Sequence, residues 1–369
     1  MVESLEKYQL DITSIKNYKK LFLDWQTLES SSNASFFLSS TWIETWLSTY
    51  SPDVDVLSVK FDGVLVGLAL LCRSQFSHWK RLGSKRLHIN QTGNQDLDQI
   101  WTEYNGVLSS VGHEPTIHSL VVPFLLTRYD DWDELHVGAV TQQNAQSMSC
   151  SSGLSRLDLW QSPSYGVDLK SLSERKVSYL DSLSRNTRYQ IRRSLKLYAS
   201  EAPVSLNFAS SVDEALSFFN EIAPLHLARW GAGVGKSGFA NQEFMAFHFS
   251  LITKAFGLDQ IDLIKVQCGE RTLGYLYNFL YRGRVYFYLS GLVSENDAKL
   301  KPGLCAHSLA IQHYLELGYD FYDFMGGDDR YKASLGTVHE HLFQISLQKK
   351  RFKFKIESFM RKVKQRMLF

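Results

Sequence analysis

Apolar residues recur every three or four positions along several segments of the chain, and this spacing predicts amphipathic helices. The predicted helices cover residues 15–28, 41–47, 120–126, 183–197, 212–227, 244–255 and 304–315. The last of these follows Lys301, Pro302 and Gly303, and Pro is well tolerated in the first turn of a helix. Gly318 lies just beyond the last apolar position and predicts the end of that helix.

Apolar and polar residues alternate in other segments, which is typical of β-strands. Residues 55–71 predict a hairpin with its turn at Asp62 and Gly63. Residues 262–292 predict three antiparallel strands, with turns at Gly269 and at Arg282–Gly283. Shorter strands are predicted at 134–140 and 321–324.

The two hairpin regions resemble each other at one constant spacing along the chain. Val59 matches Val266, and Gly67 matches Gly274. Several matches at the same spacing indicate two related units rather than chance. We therefore predict an α/β (α+β) fold made of tandem, diverged domains, each with a mixed, largely antiparallel sheet flanked by helices.

A segment rich in serine, proline and glycine predicts the connection between these domains. It lies between the serine-rich residues 147–155 and the residues 161–166, which include Pro163 and Gly166. The predicted limits are 1–160 for the N-terminal domain, 161–348 for the C-terminal domain and 349–369 for a basic tail. The first domain has no equivalent of residues 301–332, so we expect the chemistry in the second domain.

The composition describes a globular chain of 369 residues with 44% hydrophobic residues and a formal net charge of +2. The four cysteines are scattered without metal-ligand spacing, which suits reduced thiols in a cytoplasmic protein. Cys305 and His307 are too close together in sequence to suggest a thiol protease. We expect no signal peptide, membrane span or metal site.

The C-terminal tail combines apolar residues at helical spacing with many Lys and Arg side chains. Such a helix can dock on its own domain, lie on an anionic membrane surface or bind the phosphates of RNA. The tail therefore allows a location at the inner face of the membrane.

The most reactive set of side chains follows the strand at 321–324, beyond Gly326 and Gly327. Its members are Asp328, Asp329, Tyr331 and Lys332, and Asp323 within the strand itself is a candidate for substrate binding. Asp328 or Asp329 would serve as a base or orient an amine, while Tyr331 or Lys332 would stabilise an oxyanion or a leaving group. The alternative is that Asp328 caps a turn and Lys332 is a solvated charge.

Three further groups are candidates for binding or catalysis. His226 suits general-base work or simple buried packing, with Arg229 and Trp230 beside it on the same helix. Arg188 and Arg192 lie one helical turn apart and would either bind a phosphate or form a solvated basic face. Tyr104 and Asn105 would line a substrate cleft or form an ordinary turn.

An ordered series of segments resembles a known family. The series is 183–197, 226–230, the hairpin ending at Gly274, 301–304 and 322–328. It is similar to the GNAT-type acetyltransferase domain of the CelD-like group in cellulose biosynthesis, relatives of the Fem peptidyltransferases. The resemblance covers about 183–336, with weaker agreement at 37–46 and 104–108, and it implies tandem GNAT-like domains.

The resemblance also implies acyl-CoA as the co-substrate, bound where the helix after residue 301 begins. Lys301, Gly303 and Leu304 would bind it there, with Arg188 and Arg192 as additional phosphate ligands. The chain departs from the family pattern because Pro302 stands in place of a glycine-rich loop and supplies no N–H.

Three functions are consistent with these observations. The first is transfer of an acyl group from acyl-CoA to an amino sugar or another small-molecule or lipid-linked envelope or polysaccharide precursor. The second is a Fem-like transfer that uses aminoacyl-tRNA. The third is a non-catalytic GNAT-like scaffold that binds a polysaccharide or a protein.

Overall fold

A computed structural model describes residues 5–15, 17–76, 83–129, 131–150, 153–233, 235–354 and 356. The strands are β1 (Tyr8–Ser14), β2 (Val54–Phe61), β3 (Val64–Phe76), β4 (Ser84–Ile89), β5 (Leu108–Ser109), β6 (Glu134–Thr141), β7 (Leu154–Asp168), β8 (Val204–Phe208), β9 (Ile261–Cys268), β10 (Arg271–Tyr281), β11 (Arg284–Leu292), β12 (Phe321–Gly326) and β13 (Val338–Lys349).

Helices connect these strands. They are α1 (Tyr18–Ser30), α2 (Ser40–Tyr50), α3 (Glu114–Arg128), α4 (Gln142–Ser149), α5 (Leu169–Glu174), α6 (Tyr179–Ser182), α7 (Arg185–Tyr198), α8 (Val212–Trp230), α9 (Gln242–Phe256), α10 (Pro302–Glu316) and α11 (Arg330–Leu335). Short 3₁₀ turns occur at Phe36–Leu38, Leu97–Ile100 and Gly238–Ala240. Within the described residues, no helix combines the length and the apolar character needed to cross a lipid bilayer.

The chain forms two compact units, Met1–Gln161 with Leu342–Phe369, and Ser162–His341. In the first unit the strands pair in the order β1, β2, β3, β4, β6, followed by residues 342–348 of β13. These pairings are antiparallel except for β4 with β6, which is parallel. Helices α3 and α4 contribute buried Ile117, Val121, Leu125 and Met148 to its core.

The second unit repeats this arrangement. Its strands pair in the order β8, β9, β10, β11, β12, followed by residues 164–168 of β7, and only β11 with β12 is parallel. The register repeats as well, because Val59 lies opposite Gly67 in the first unit and Val266 lies opposite Gly274 in the second. The predicted fold class of tandem mixed α/β domains is confirmed.

Turn geometry explains why both hairpins form where the sequence predicts them. Asp62 and Gly63 have φ values of 48° and 82°, and Arg282 and Gly283 have values of 50° and 74°. Two successive residues with positive φ are the mark of the two-residue turn that matches strand twist. Both hairpin predictions are confirmed.

The predicted connection between the domains falls where the two units divide, between Gln161 and Ser162, but the segment is not a loop. Residues 154–168 form the continuous strand β7, which includes Pro163. The strand β1 was missed altogether, although Leu10 and Ile12 alternate with polar residues in it. The helix predicted in the C-terminal tail lies outside the described residues, apart from 349–354 and 356.

Candidate active site

The strands β11 and β12 separate soon after they start to pair. Only Arg284, Val285 and Tyr286 of β11 face partners on β12, while β11 continues to Leu292 beside β10. Beyond Tyr286, no strand in the described part of the chain covers this edge of β11, so its backbone N–H and C=O groups are available to a ligand.

A cavity of about 500 Å³ lies at the far end of β11. Apolar side chains form much of its wall, and these are Leu225, Ala228, Leu292, Val293, Pro302 and Leu304. Its polar lining residues are Arg229, Ser290, Ser294, Lys301, His307 and Tyr331. This lining contains two cations and no carboxylate, so the cavity favours an anionic ligand with an apolar portion.

The N-terminus of α10 borders this cavity. The side chain of Lys301 at the N-cap makes no capping hydrogen bond, and the first-turn N–H groups of Gly303 and Leu304 have no carbonyl partner within the helix. These groups and the helix dipole favour an anion. Helix α7 fixes the position of this helix start, because Ser194 Oγ accepts hydrogen bonds from Lys301 N at 2.8 Å and from Cys305 Sγ at 3.2 Å.

Helix α8 forms the opposite wall of the cavity and packs closely on β11 at Gly291. A Cβ atom at Gly291 would lie 2.8 Å from the carbonyl oxygen of Ile222 and 2.9 Å from Cβ of Leu225. The absence of a side chain at this position therefore brings Leu225, Ala228 and Arg229 against the end of β11.

His307 is a functional candidate that the sequence analysis considered only as a partner of Cys305. It lies in the second turn of α10, only 1% of its surface is exposed, and its side chain lines the cavity. Burial first, and then the charges of Lys332 and Arg229, lower its pKa from 6.5 to about 3. The imidazole is therefore neutral at physiological pH.

Tyr331 stacks on His307, with ring centroids 5.6 Å apart and planes 17° from parallel. Burial, and secondarily the charge of Asp329, raise the pKa of Tyr331 well above its usual value of 10. The phenol therefore keeps its proton at neutral pH and can donate it or a hydrogen bond.

The structure brings five of the predicted site residues together around this cavity: Arg229, Lys301, Gly303, Leu304 and Tyr331. The acidic and basic residues of the loop after β12 do not line it. Asp328 is exposed, Asp329 is partly buried, and neither is among the residues that line the cavity.

Lys332 and Asp323 have structural partners instead of a free functional group. Lys332 is buried, and its Nζ donates to the carbonyl oxygen of Gly326 at 2.7 Å. Asp323 accepts a hydrogen bond from Met325 N at 2.7 Å and lies 3.4 Å from Arg284. Both side chains hold the end of β12 in place, which does not support the predicted catalytic role of Lys332 or substrate-binding role of Asp323.

His226 is packed inside the second unit. Its Nδ1 lies 2.8 Å from Ser237 Oγ, and its ring contacts Phe239. Burial, with a smaller contribution from Arg229, lowers its pKa to about 4. His226 is therefore better described as a buried packing residue than as a catalytic base. Trp230 is exposed, its ring lies beneath the Arg229 guanidinium, and it is not among the residues that line the cavity.

The remaining candidates contact protein groups. Arg188 and Arg192 both reach Asp181 Oδ1, at 3.2 and 3.4 Å, so they form ion pairs rather than an open phosphate site. Asn105 is buried and donates to the carbonyl oxygen of Ile89 at 2.8 Å. Tyr104 precedes it with a φ of 49°, as expected of a turn residue.

Comparison with known proteins agrees with this geometry. Residues 185–333 match the family model described as an acetyltransferase (GNAT) domain. The second unit therefore carries an acyltransferase domain of the GNAT superfamily, and the chain is an enzyme. No curated protein matches the chain significantly in sequence.

Solved structures share the fold at low sequence identity. A crystal structure of FemX has a TM-score of 0.57 and 11% identity, covering 90% of this chain and 96% of its own. A conserved protein of unknown function from Bacteroides thetaiotaomicron VPI-5482 has a TM-score of 0.53 and 10% identity, covering 92% and 100%. The structure of L-PGS from Bacillus licheniformis has a TM-score of 0.52 and 12% identity, covering 92% and 95%.

Proposed function

We propose that the cavity at the end of β11 binds an acyl-CoA and that the enzyme transfers its acyl group to an amine. The observation that carries this proposal is the combination of an unpaired strand edge, an apolar wall and a basic helix start in one cavity. The acceptor we propose is an amino sugar or another envelope or polysaccharide precursor, and this part rests on the sequence resemblance to the CelD-like group.

The residues present fit the donor. A pantetheine arm carries amide groups that can pair with the free edge of β11, as an added strand would. Its phosphates suit the free N–H groups of Gly303 and Leu304 together with the charges of Lys301 and Arg229. Pro302 removes one N–H from this set, and Lys301 supplies charge in its place.

The reaction is a substitution at the thioester carbonyl. The amine nitrogen forms a bond to the carbonyl carbon and loses a proton, while the C–S bond breaks and the thiolate takes up a proton. Tyr331 is the proposed donor of that second proton, since its phenol is neutral and lines the cavity. The first proton passes to solvent water, because no carboxylate is among the described residues that line the cavity.

Calorimetric titration with acetyl-CoA tests the donor. We expect micromolar binding by the wild-type protein and about 10- to 100-fold weaker binding by Lys301→Ala, because a charge-assisted contact to phosphate contributes about 1.5–3 kcal/mol. Lys299→Ala is the matched control, since it removes the same charge from an exposed position two residues away that does not line the cavity.

Two other results would favour one of the alternative functions over acyl transfer from acyl-CoA. No binding at millimolar acetyl-CoA, with strongly salt-dependent binding of charged tRNA, would favour the Fem-like reaction instead. Binding of acetyl-CoA without turnover of any amine in a panel that includes amino sugars would favour a scaffold.

A further inference from the structure

The ring of His307 is held on several sides by aromatic residues. Its centroid lies 4.4 Å from that of Phe287, 5.3 Å from that of Phe324 and 5.6 Å from that of Tyr331. Such packing fixes the orientation of the imidazole before any ligand binds. Only the ring nitrogens can then make directional contacts.

Tyr322 determines which of these nitrogens carries the proton. Its hydroxyl is fully buried and lies 3.2 Å from Nδ1 of His307, and this is its one hydrogen bond within the described part of the chain. A buried O–H that donates to nothing is costly, so the phenol must donate to Nδ1. A ring nitrogen that accepts a hydrogen bond carries no proton, and the neutral imidazole therefore has its proton on Nε2.

Within the described residues, the Nε2–H group of His307 has no hydrogen-bond partner. The His307 side chain lines the cavity, so a ligand there can supply the acceptor. We infer that His307 is a catalytic residue whose Nε2–H donates a hydrogen bond to the carbonyl oxygen of the acyl group. This inference rests on the proposed function. The oxygen gains negative charge as the amine adds to the carbonyl carbon, and a donor already fixed in place stabilises that charge more than it stabilises the ground state.

The same geometry argues against His307 as the general base. Its lone pair is on Nδ1, where Tyr322 already occupies it. The charged groups that act on the ring are Lys332 and Arg229, and the phenols of Tyr322 and Tyr331 are protonated, so nothing around it favours an imidazolium. Tyr322 is accordingly a positioning residue that acts through His307.

The tautomer can be measured without any ligand. Nitrogen-15 NMR of the full-length protein, with His307 assigned by comparison with His307→Gln, should show a proton on Nε2 and none on Nδ1, unchanged between pH 5 and 8. In Tyr322→Phe the His307 ring should no longer carry its proton on Nε2 alone, and both neutral tautomers should be populated. A proton on Nδ1 in the wild-type protein, or titration near pH 6.5, would overturn the inference whatever the donor substrate is.

The role in binding the carbonyl is tested by infrared spectroscopy of acetyl-CoA labelled with carbon-13 at the thioester carbonyl. The stretching frequency should fall when the ligand binds the wild-type protein and should stay near its solution value in His307→Phe. His307→Gln is the matched variant, because its side-chain amide keeps an N–H donor but cannot act as a base, and it should restore most of the shift.

Turnover provides the final comparison. His307→Phe should lower kcat about 10²- to 10³-fold with little change in acetyl-CoA affinity, as expected for loss of one oxyanion donor, and His307→Gln should recover most of it. Unchanged acetyl-CoA binding with the same carbonyl frequency in all three proteins would refute the role of His307 and leave the proposed function standing. Failure of the wild-type protein to bind acetyl-CoA would refute both.

Discussion

Replacement of Glu134 by alanine is expected to lower the free energy of unfolding by about 3–5 kcal/mol, as is typical when one member of a buried ionic network is removed. Glu134 is 3% exposed. Its Oε1 accepts from Ser84 Oγ at 2.6 Å and Arg86 Nε at 2.7 Å, and its Oε2 accepts from Ser346 Oγ at 2.9 Å and Gln348 Nε2 at 3.1 Å. The substitution removes the acceptor of the buried Ser84, Ser346 and Gln348 side chains and the carboxylate paired with the partly buried Arg86.

The loss of unfolding free energy caused by Glu134→Ala should become smaller as the pH falls. Burial alone would raise the pKa of Glu134, but the close His136 imidazole and the hydrogen bonds from Ser84 and Arg86 outweigh it and hold the pKa well below 4.5. A carboxylate whose pKa is lower in the folded state stabilises the protein above the unfolded-state pKa and loses that contribution as the pH falls. The difference between Glu134→Ala and wild type should therefore shrink below about pH 4.5.

Urea unfolding followed by circular dichroism at pH 7 and at pH 4 measures both effects. Asp131→Asn is the control, because this carboxylate is fully exposed beside Lys85 and its loss should barely move the transition. Equal midpoints for Glu134→Ala and Asp131→Asn at pH 7 would show that the buried network contributes little to stability.

The fold was predictable where local chemistry and long-range pairing point the same way. The hairpins around Gly63 and Gly283 combine alternating apolar residues with turn residues that tolerate positive φ, so sequence reasoning identifies both. Strand β7 was missed because Pro163 and a serine-rich start suggest a loop. Strand formation there depends on pairing with distant segments such as β12, which a local pattern does not report.

The site was predictable only in part, for a different physical reason. Lys301 and Tyr331 were identified because a helix start and the loop after a strand are common places for binding groups. Lys332 and Asp323 both bond to backbone groups at the end of β12, a use of a titratable side chain that the local sequence does not distinguish from a catalytic one. His307 was considered only with Cys305, as a thiol protease pair that their close spacing argues against, and nothing local indicates the hydrogen bond to Tyr322 fifteen positions later.

Gly291→Ala is expected to damage both the stability of the second unit and the donor site. The new Cβ would lie 2.8 Å from the carbonyl oxygen of Ile222, and backbone at that distance must move. Helix α8 would be pushed away from β11, at a cost of about 1–3 kcal/mol for overpacking. Because Leu225, Ala228 and Arg229 of α8 line the cavity, acetyl-CoA should bind at least about tenfold more weakly, which corresponds to about 1.4 kcal/mol.

Gly257→Ala separates this packing effect from the general effect of replacing a glycine. Gly257 follows α9 with a φ of −70°, and a Cβ there would meet nothing within 4 Å. That variant should be neutral or slightly more stable, since alanine restricts the unfolded chain. Thermal unfolding and acetyl-CoA titration of both variants show whether the close packing at Gly291 is responsible for the losses. A Gly291→Ala protein that melts and binds like wild type would mean that α8 can shift without opening the cavity, and that the close contact at Gly291 is not what shapes the donor site.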